Sequence, residues 1–473
     1  MKYKTIELSH TNEIIQTYGV NSLMAKVIES KKIDQEQFKS FMDPHLVYHD
    51  FSLFEEADET LERIEEAIAN KEKICIYGDY DCDGILATTI LVQAFHERGV
   101  EVGYHIPNRF TDGYGLNTTR VEQMAEKGYS LIITVDNGIK AFDAVEKAGE
   151  LGIDVIITDH HAFDGEVPVA YSIIHTKMSP KYPFKEICGG FIAYKLAAAL
   201  LKHHDPYLFT LASITTISDM MPLLDENRSL VRRGLQFMKQ YKYSSLELLK
   251  GNRNYDVTTI GFTIAPRINA FGRLPELVNP VYLVKYFLKE ADSAYLKKIS
   301  NYASKINSKR QSMTTSLYKE AVTDTSSSCL FYGSENMHEG LVGLVAGKYT
   351  REYEQPAFVM HYNPKEEIYK GSARGIDGFN IYNFFTHHED LFVQYGGHAK
   401  AGGFTITKSN YPLVYDALMN DIKGCHFEAS ESVIPITLTD TTIPNVESLD
   451  LLAPFGEENK APLFILEDVS CHQ

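Results

Sequence analysis

The chain has 473 residues, of which 44% are apolar, and a formal net charge of −17 at neutral pH. This length predicts two or three domains, and the chain contains no run of eighteen apolar residues that would suggest a membrane span. The acidic charge disfavours a general nucleic-acid coat protein, but it leaves a nucleic-acid enzyme open because carboxylates at a metal site add to the count.

Strands and helices are predicted to alternate over residues 73–161. Apolar strands are predicted in KICIYG (73–78), VEVGYHIP (100–107), LIITVD (131–136) and DVIITD (154–159). Helical patterns separate them, one of which Asn117 is placed to cap. Strands separated by helices of this length indicate βαβ units and a parallel sheet, so the fold class is α/β.

A long helix is predicted from about residue 285 to 322, because apolar residues recur there at steps of three and four. A second α/β unit follows from SSSCLFYG (326–333) to about residue 425, and GCHFEASES (424–432) is typical of a linker. Two further strand-like segments, VIPITLTD and APLFILEDV, come after it.

Acidic and histidine residues form four clusters. They are Asp79-Tyr80-Asp81-Cys82-Asp83, Asp136-Asn137, Asp159-His160-His161 and Asp219. The first three clusters follow predicted parallel strands, whose carboxyl ends meet at one edge of a sheet. Carboxylates together with imidazole suit Mn²⁺ or a similar ion, and a bridging carboxylate can hold two ions about 3.5–4 Å apart for phosphoester hydrolysis.

Each cluster alone is more typical of a helix cap, a turn or a surface residue than of a site. Four clusters in this order, three of them at predicted strand ends, are harder to explain in that way. The sequence therefore predicts a two-ion phosphoesterase centre. The six scattered cysteines, with no C-x-x-C pair, argue against a zinc ribbon or a disulfide framework.

The order of the motifs resembles the DHH phosphoesterase family, and within it the RecJ-like single-stranded-DNA-specific exonucleases. The motifs that carry the resemblance are GDYDCDG, PNRFTDGYGL, VDNGI, TDHH, ISDMMPL, APRINAFGRL, HEGLVGLVAGK, KGSARG, QYGGHAKAGGF and the weaker LLAPFGEENKAPLF. PNRFTDGYGL and APRINAFGRL are the segments most specific to the RecJ-like group.

The resemblance implies a role for each matching residue. Asp136 bridges two ions, Asp81 joins it on one ion, and Asp83, His160 and Asp219 join it on the other. Residues assigned to catalysis are Asp79, His161, Asn269 and Arg273, with Arg273 stabilising charge on the phosphate. Residues assigned to the substrate are Arg109, Ser372 and Arg374 at the 5′ phosphate, and Gly397, His398, Lys400 and Gly402 along the strand.

The resemblance also divides the chain into five segments. We expect an N-terminal helical segment (1–70) that packs on a DHH catalytic domain (71–285), a connecting long helix (286–324), a DHH-associated nucleic-acid-binding domain (325–425) and a partial OB-fold-like segment (426–473). Two departures stand out. Tyr77 replaces a histidine common in relatives, and the OB-fold-like part is short, which indicates a compact relative or a truncated form.

The expected function is metal-dependent 5′-to-3′ hydrolysis of single-stranded DNA to 5′-mononucleotides in repair or recombination, with a channel between two domains admitting one strand. We expect two divalent ions, Mn²⁺ first and Mg²⁺ as the alternative. One alternative function is a phosphoesterase for short oligonucleotides, cyclic dinucleotides or pyrophosphate; another is a non-catalytic replication scaffold. A cytoplasmic monomer is expected, with a single-strand binding protein or a helicase as candidate partners and no membrane association.

Overall fold

The computed structural model describes residues 2–43, 45–113, 115–163, 165–322, 328–425 and 430–466. The chain forms two compact units, which we call the first unit (residues 5–306 and from 433 on) and the second unit (residues 307–432 with the first four residues). Parts of the predicted linker and of the predicted C-terminal segment, residues 426–429 and 467–473, lie outside the described residues. The domain boundaries therefore stay predictions.

Helices and strands occur in both units. Up to residue 201 they are β1 (Lys2–Thr5), α1 (Thr11–Tyr18), α2 (Ser22–Ser30), α3 (Gln35–Met42), α4 (Ala57–Ala69), β2 (Ile74–Tyr77), α5 (Cys82–Glu97), β3 (Gly103–His105), α6 (Thr118–Glu126), β4 (Leu131–Val135), α7 (Phe142–Glu150), β5 (Asp154–Thr158), β6 (Ser172–Ile174) and α8 (Gly189–Leu201). From there to residue 321 they are α9 (Pro206–Ser218), α10 (Asp225–Tyr241), α11 (Ser244–Lys250), α12 (Val257–Thr259), a π-helical turn (Ile260–Ile264), α13 (Ala265–Arg273), α14 (Val281–Phe287) and α15 (Ser293–Ala321). The remaining elements are β7 (Leu330–Ser334), α16 (Val342–Tyr353), β8 (Ala357–Asn363), β9 (Ile368–Arg374), α17 (Ile381–His387), β10 (Gln394–His398), β11 (Ala401–Thr407), α18 (Tyr411–Ile422), β12 (Ser430–Ile436), α19 (Ile443–Ser448) and β13 (Phe464–Leu466).

The core of the first unit is a parallel five-stranded sheet with the order β3-β2-β4-β5-β6. Strands β2 and β4 are buried along their whole length, which explains why their sequences are continuously apolar. The chain passes from β2 to β3 on one side, and the next connection runs from β3 back past β2 to β4 on the other side. The sheet thus has a topological switch point between β2 and β4, where α/β proteins bind their ligands. The predicted parallel α/β fold is confirmed.

The prediction of one helix from about residue 285 was wrong at its start. Helix α14 ends at Phe287, and α15 begins only at Ser293. The carboxylate of Asp292 accepts hydrogen bonds from the backbone N–H groups of Ala294 and Tyr295, both at 2.9 Å. This cap satisfies donors at the start of a new helix, so the apolar periodicity continues across a break in the backbone.

The second unit contains a five-stranded sheet with the order β10-β11-β9-β8-β7. Strands β7 and β8 are parallel, and the other neighbours are antiparallel. Two apolar clusters accompany this sheet, one including Phe358 and Phe385 and the other including Val345 and Tyr349. This agrees with the predicted second α/β unit. Within the described part of the chain, no helix combines the length and apolar character that crossing a membrane requires.

Segments from the two ends of the chain pack together in the first unit. Leu23 and Ile28 on α2 share an apolar cluster with Ile434 and Leu452. The Nζ of Lys26 lies 2.8 Å from Oδ2 of Asp440, and both side chains are largely buried. Strand β12 pairs in parallel with β13 from Ile434 to Ile436. Residues 433–466 therefore complete the packing of the N-terminal helices.

We predict that Asp440→Asn lowers the free energy of unfolding at neutral pH by about 2 kcal/mol, because it removes a charge-assisted hydrogen bond from a buried lysine. Burial opposes ionisation of Asp440, but the hydrogen bonds from Lys26 and Thr437 outweigh it and hold its pKa below the usual range. This stabilisation is present above the carboxyl's ordinary pKa of about 3.9 and is lost as pH falls through the lower folded value. Urea titrations should show a difference in unfolding free energy between wild type and variant that narrows below about pH 4. Equal stability of the two proteins at neutral pH would contradict the assignment.

Candidate metal centre

The carboxyl ends of three neighbouring strands place acidic and histidine residues at the switch point of the sheet. Strand β2 leads into the loop that carries Asp79 and Asp81, β4 leads directly to Asp136, and β5 leads to His160. Asp136 adopts a left-handed backbone conformation with φ 62°, which an aspartate tolerates better than most residues. Asp219 comes from another layer, at the C-terminal end of α9.

The ligand atoms of these residues converge. Three sets of atoms each lie within 4.8 Å of one another: Asp79, Asp81 and Asp136; Asp83, His160 and Asp219; and Asp136, His160 and His161. Asp136 belongs to two of the sets, which is the placement that a bridging carboxylate needs. The structure thus brings together all five predicted metal ligands, together with Asp79 and His161.

The N-terminus of helix α8 holds Asp83. The two carboxylate oxygens of Asp83 accept hydrogen bonds from the backbone N–H groups of Gly189 and Gly190, each at 2.8 Å. A Cβ at Gly189 would lie 2.5 Å from the Cβ of Asp136. The helix can therefore approach two of the acidic residues only because it begins with glycine, a relation that sequence reasoning missed.

Asn269 supports the acidic loop directly. Its Oδ1 accepts a hydrogen bond from the backbone N–H of Cys82 at 2.7 Å, at the first residue of α5. The carboxylate of Asp81 accepts from the backbone N–H groups of Asp83 and Gly84 at 2.9 and 3.1 Å. These contacts fix the loop between β2 and α5. Asn269 thus contacts this loop, and the expected catalytic role of Asn269 stays a prediction.

Burial and mutual repulsion raise the pKa values of the clustered carboxyl groups. Burial, followed by the Asp81 carboxylate, raises the pKa of Asp79 well above its usual value and that of Asp83 to about 6. Burial and then Asp83 do the same for Asp136 and Asp219, whose pKa values also lie well above the usual range. So many desolvated carboxylates are costly together unless cations offset their charge.

The donor set fits divalent cations. Burial, reinforced by His161, lowers the pKa of His160 to about 3, so its imidazole is neutral. The buried Nε2 of His160 lies 3.4 Å from Oδ2 of Asp219, yet neither atom makes a hydrogen bond. A neutral nitrogen facing carboxylate oxygens is the arrangement of ligands around an ion.

His161 is held by Asp159 and His175. Its Nδ1 lies 2.7 Å from Oδ1 of Asp159, and its carbonyl lies 3.0 Å from Nε2 of His175. Nδ1 of His175 accepts from the backbone N–H of Lys177, so its Nε2 is the donor to His161. Burial alone would lower the pKa of His161, but the hydrogen bond and charge of Asp159 raise it to about 9. His175 was missed because it is a single histidine outside every motif.

Tyr77 faces away from the acidic cluster. Its hydroxyl donates to the carbonyl of Gly115 at 3.1 Å, and its ring packs with His105 in a second apolar cluster. The guanidinium of Arg109, carried on the loop between β3 and α6, lies 4.3 Å from the centre of the Tyr80 ring. The buried Nε of Arg109 makes no hydrogen bond. Arg109 thus lies close to the acidic loop, and its Nε–H is available to donate to a ligand.

Arg273, the last residue of α13, has its positive charge close enough to Tyr80 to lower the pKa of that phenol, against a larger rise caused by burial. It therefore lies near Tyr80, the residue whose ring Arg109 contacts. That both cations face a phosphate near the acidic cluster stays a prediction.

Ser372 and Arg374 lie on β9 in the second unit, close to the first turn of α16. Nη1 of Arg374 donates to Oγ of Ser372 at 2.6 Å. A Cβ at Gly343 would lie 2.9 Å from Nη2 of Arg374 and 3.1 Å from Oγ of Ser372. Burial and the nearby Arg351 lower the pKa of Arg374. A hydroxyl, a guanidinium and a helix N-terminus in contact are suited to an anion.

The predicted glycine-rich edge has two different faces. Gly402 is buried, and a Cβ there would lie 2.5 Å from Cε2 of Phe385. Its paired residue Gly397 has φ 140°. Packing at residue 402 and backbone conformation at residue 397 therefore already require glycine at these two positions. His398 and Lys400 are exposed at the tip of the hairpin, where Lys400 pairs with Asp377. Contact of these four residues with nucleic acid stays a prediction.

Comparison with known proteins places this site in a family. Residues 73–218 match the N-terminal domain of the DHH family, and residues 326–424 match the DHHA1 domain. The single-stranded-DNA-specific exonuclease RecJ of Bacillus subtilis is 35% identical over 430 residues, which are 87% of this chain and 54% of the relative. The RecJ of Haemophilus influenzae is 30% identical over 422 residues, 82% of this chain and 71% of the relative.

A crystal structure of RecJ in complex with Mn²⁺ from Thermus thermophilus matches with a TM-score of 0.85 at 26% identity. The match covers 98% of this chain and 69% of that one. The chain thus spans about half of the length of the Bacillus relative and about two thirds of the Thermus protein.

We predict that Gly189→Ala weakens Mn²⁺ binding by about tenfold or more, because the new methyl group would displace Asp136 and the N–H groups that hold Asp83. Isothermal titration calorimetry with Mn²⁺ measures the affinity. Gly149→Ala is the matched control, since a Cβ on that residue of α7 would meet no atom within 4 Å. Unchanged affinity in Gly189→Ala would contradict the arrangement.

Proposed function

The chain belongs to the RecJ group of DHH phosphoesterases, and we propose that it is a metal-dependent exonuclease that hydrolyses single-stranded DNA from the 5′ end to 5′-mononucleotides. The observation that carries the proposal is the convergence of Asp79, Asp81, Asp83, Asp136, His160 and Asp219 at the switch point of the sheet. The curated relatives that it matches are single-stranded-DNA-specific exonucleases. Because the chain spans only part of their length, the proposal rests on the residues of this site.

Two divalent ions, Mn²⁺ first, are the proposed cofactors. Asp81 and Asp136, with Asp79 beside them, would hold one ion. The other ion would be held by Asp83, His160 and Asp219, and Asp136 would contribute to both. When bound, such a pair of ions polarises the phosphoryl group and lowers the pKa of water at neutral pH.

The remaining residues of the site orient the substrate and manage its charge. His161, kept protonated by Asp159, presents an N–H donor beside the acidic cluster, where a phosphate oxygen can accept it. Arg109 and Arg273 lie by the same loop and offer fixed positive charge to the developing pentacovalent phosphorus. The carboxylate of Asp159 accepts from the backbone N–H groups of His160, His161 and Ile139, so we assign it the support of these residues and not a place among the ligands.

The direction of digestion is proposed to depend on the pocket of Ser372, Arg374 and Gly343. Arg374 is partly buried, and no carboxylate among the described residues pairs with it. A terminal phosphate supplies the missing negative charge and can accept from the serine hydroxyl, the guanidinium and the N–H groups at the start of α16. Phosphate binding at this pocket selects a strand end over an internal phosphate, which makes the enzyme an exonuclease.

We predict that Asp136→Ala reduces nuclease activity by at least about a hundredfold, because it removes the carboxylate that belongs to two of the three converging sets and is proposed to bridge the ions. Purified protein with Mn²⁺ would be given 5′-blocked and 3′-blocked single strands, a duplex and a dinucleotide. Wild type should digest the 3′-blocked strand and leave the 5′-blocked strand and the duplex intact. The exposed Asp58→Ala on α4 serves as control and should keep full activity.

Equal digestion of both blocked strands would contradict the direction, and activity confined to the dinucleotide would favour the alternative of a small-substrate phosphoesterase. Activity that survives in Asp136→Ala would contradict the metal assignment.

We predict that Ser372→Ala and Arg374→Gln each reduce the preference for 5′-phosphorylated over 5′-hydroxyl strands by about tenfold, since each removes a charge-assisted donor to the phosphate. The readout is the ratio of kcat/KM for the two substrates. Lys365→Gln, in the exposed turn between β8 and β9, is the control. A preserved ratio in both pocket variants would place the terminal phosphate elsewhere.

Cytoplasmic location, a monomeric state and an interaction with a single-strand binding protein or a helicase remain part of this proposal. The candidate partners follow from the expected role in DNA repair or recombination.

A further inference from the structure

Phe262 is an aromatic side chain that the fold leaves in water. It is 81% exposed, although Ile260, Thr263 and Ile264 around it are buried. It lies in the π-helical turn Ile260–Ile264, between α12 and α13. Such a turn inserts an extra residue into a helix and is frequent at functional sites. Here it turns Phe262 outward while its neighbours keep their places in the core.

Phe262 shares a helix face with residues of the catalytic site. Pro266, Asn269 and Arg273 follow it at steps of four, three and four residues, which keeps all four on one side of the helix. These four are exposed or partly exposed, whereas Ile268 between them is buried. At about 1.5 Å per residue, Phe262 lies about 10 Å from Asn269 and about 16 Å from Arg273 along the axis.

A second contact ties the same turn to the metal ligands. A Cβ at Gly261 would lie 3.8 Å from Cγ2 of Ile217, in the last turn of α9, and α9 ends at the ligand Asp219. Met220, the next residue, has φ 55° and is 69% exposed. Phe262 therefore shares a helix face with Arg273, and its neighbour Gly261 packs beside the helix that ends at Asp219.

We infer that Phe262 stacks on a base of the single strand, next to the nucleotides at the scissile phosphate. The inference rests on the proposed function, because it requires a single strand at Arg273. Cations and metal ions bind the phosphates, but a strand also presents apolar base faces that need a partner. An exposed aromatic ring supplies that partner without regard to sequence, since every base has a π-face. The stacked base would hold the strand in line while one nucleotide is released.

Fluorescence of 2-aminopurine tests the contact directly. Strands of about twelve nucleotides, with the probe moved one position at a time, would be titrated with Asp136→Ala protein so that they are not consumed. We expect quenching that is greatest at one or two positions a few nucleotides from the 5′ end. Phe262→Ala in the same background should abolish that maximum and weaken binding by about tenfold or more, while Phe262→Trp should preserve both.

The exposed Tyr171 provides the matched control. It lies just before β6, at the amino edge of the sheet, opposite the acidic cluster, and is 48% exposed. Tyr171→Ala should leave the quenching profile unchanged. A flat profile in the parent protein, or a profile that Phe262→Ala leaves intact, would overturn the inference.

Steady-state kinetics separate this inference from the proposed function. With otherwise wild-type protein, Phe262→Ala should raise KM for the long strand about tenfold and leave kcat/KM for a dinucleotide unchanged, because a dinucleotide is too short to reach the ring. Loss of both activities to the same extent would mean that Phe262 serves the fold, which contradicts stacking. If wild type digests no strand at all, the proposed function fails, whereas the quenching experiment still decides whether Phe262 binds a base.

Discussion

The concentration of negative charge at the edge of the parallel sheet is the constraint on which the rest of the first unit depends. Asp83 and Asp136 are buried and Asp219 is partly buried, and burial together with the neighbouring carboxylates disfavours the ionised form of each carboxyl group. Such a cluster is unfavourable in the folded chain without bound cations, and it becomes a strong site with them. The surrounding elements serve to hold the carboxylates in place against their own repulsion.

The supporting contacts come mainly from backbone groups. Asp83 is bound by two N–H groups at the start of α8, and Asp81 accepts two N–H groups at the start of α5. Helix N-termini carry a partial positive charge, so they stabilise these carboxylates and leave other lone pairs for the ions. Gly189 makes one of these approaches possible by its lack of a side chain. The chemistry of the site thus depends on the N-termini of two helices in addition to the acidic residues.

How far the sequence predicts this structure depends on the kind of contact. The grouping of Asp81, Asp136 and His160 was predictable because parallel strands have a common carboxyl edge, and the βαβ pattern is visible in local periodicity. The support from His175 and Gly189 was not, since nothing local indicates which distant backbone groups return to the site. The start of α15 was misplaced because apolar periodicity continues past Asp292. Tyr77 departs from the family pattern, and only the structure shows that it bonds Gly115 instead.

The packing of α2 against residues 433–466 has a consequence for biosynthesis. The first unit is interrupted in sequence by the whole of the second unit, and Lys26 meets Asp440 across 414 residues of chain. A ribosome delivers the sheet strands early, but the apolar face of α2 waits for its partner until nearly all of the described chain has been made. During that interval Leu23 and Ile28 lack their final cover. The sheet of the second unit lies between residues 330 and 407, so it can form while α2 still lacks its contacts with residues 433–466.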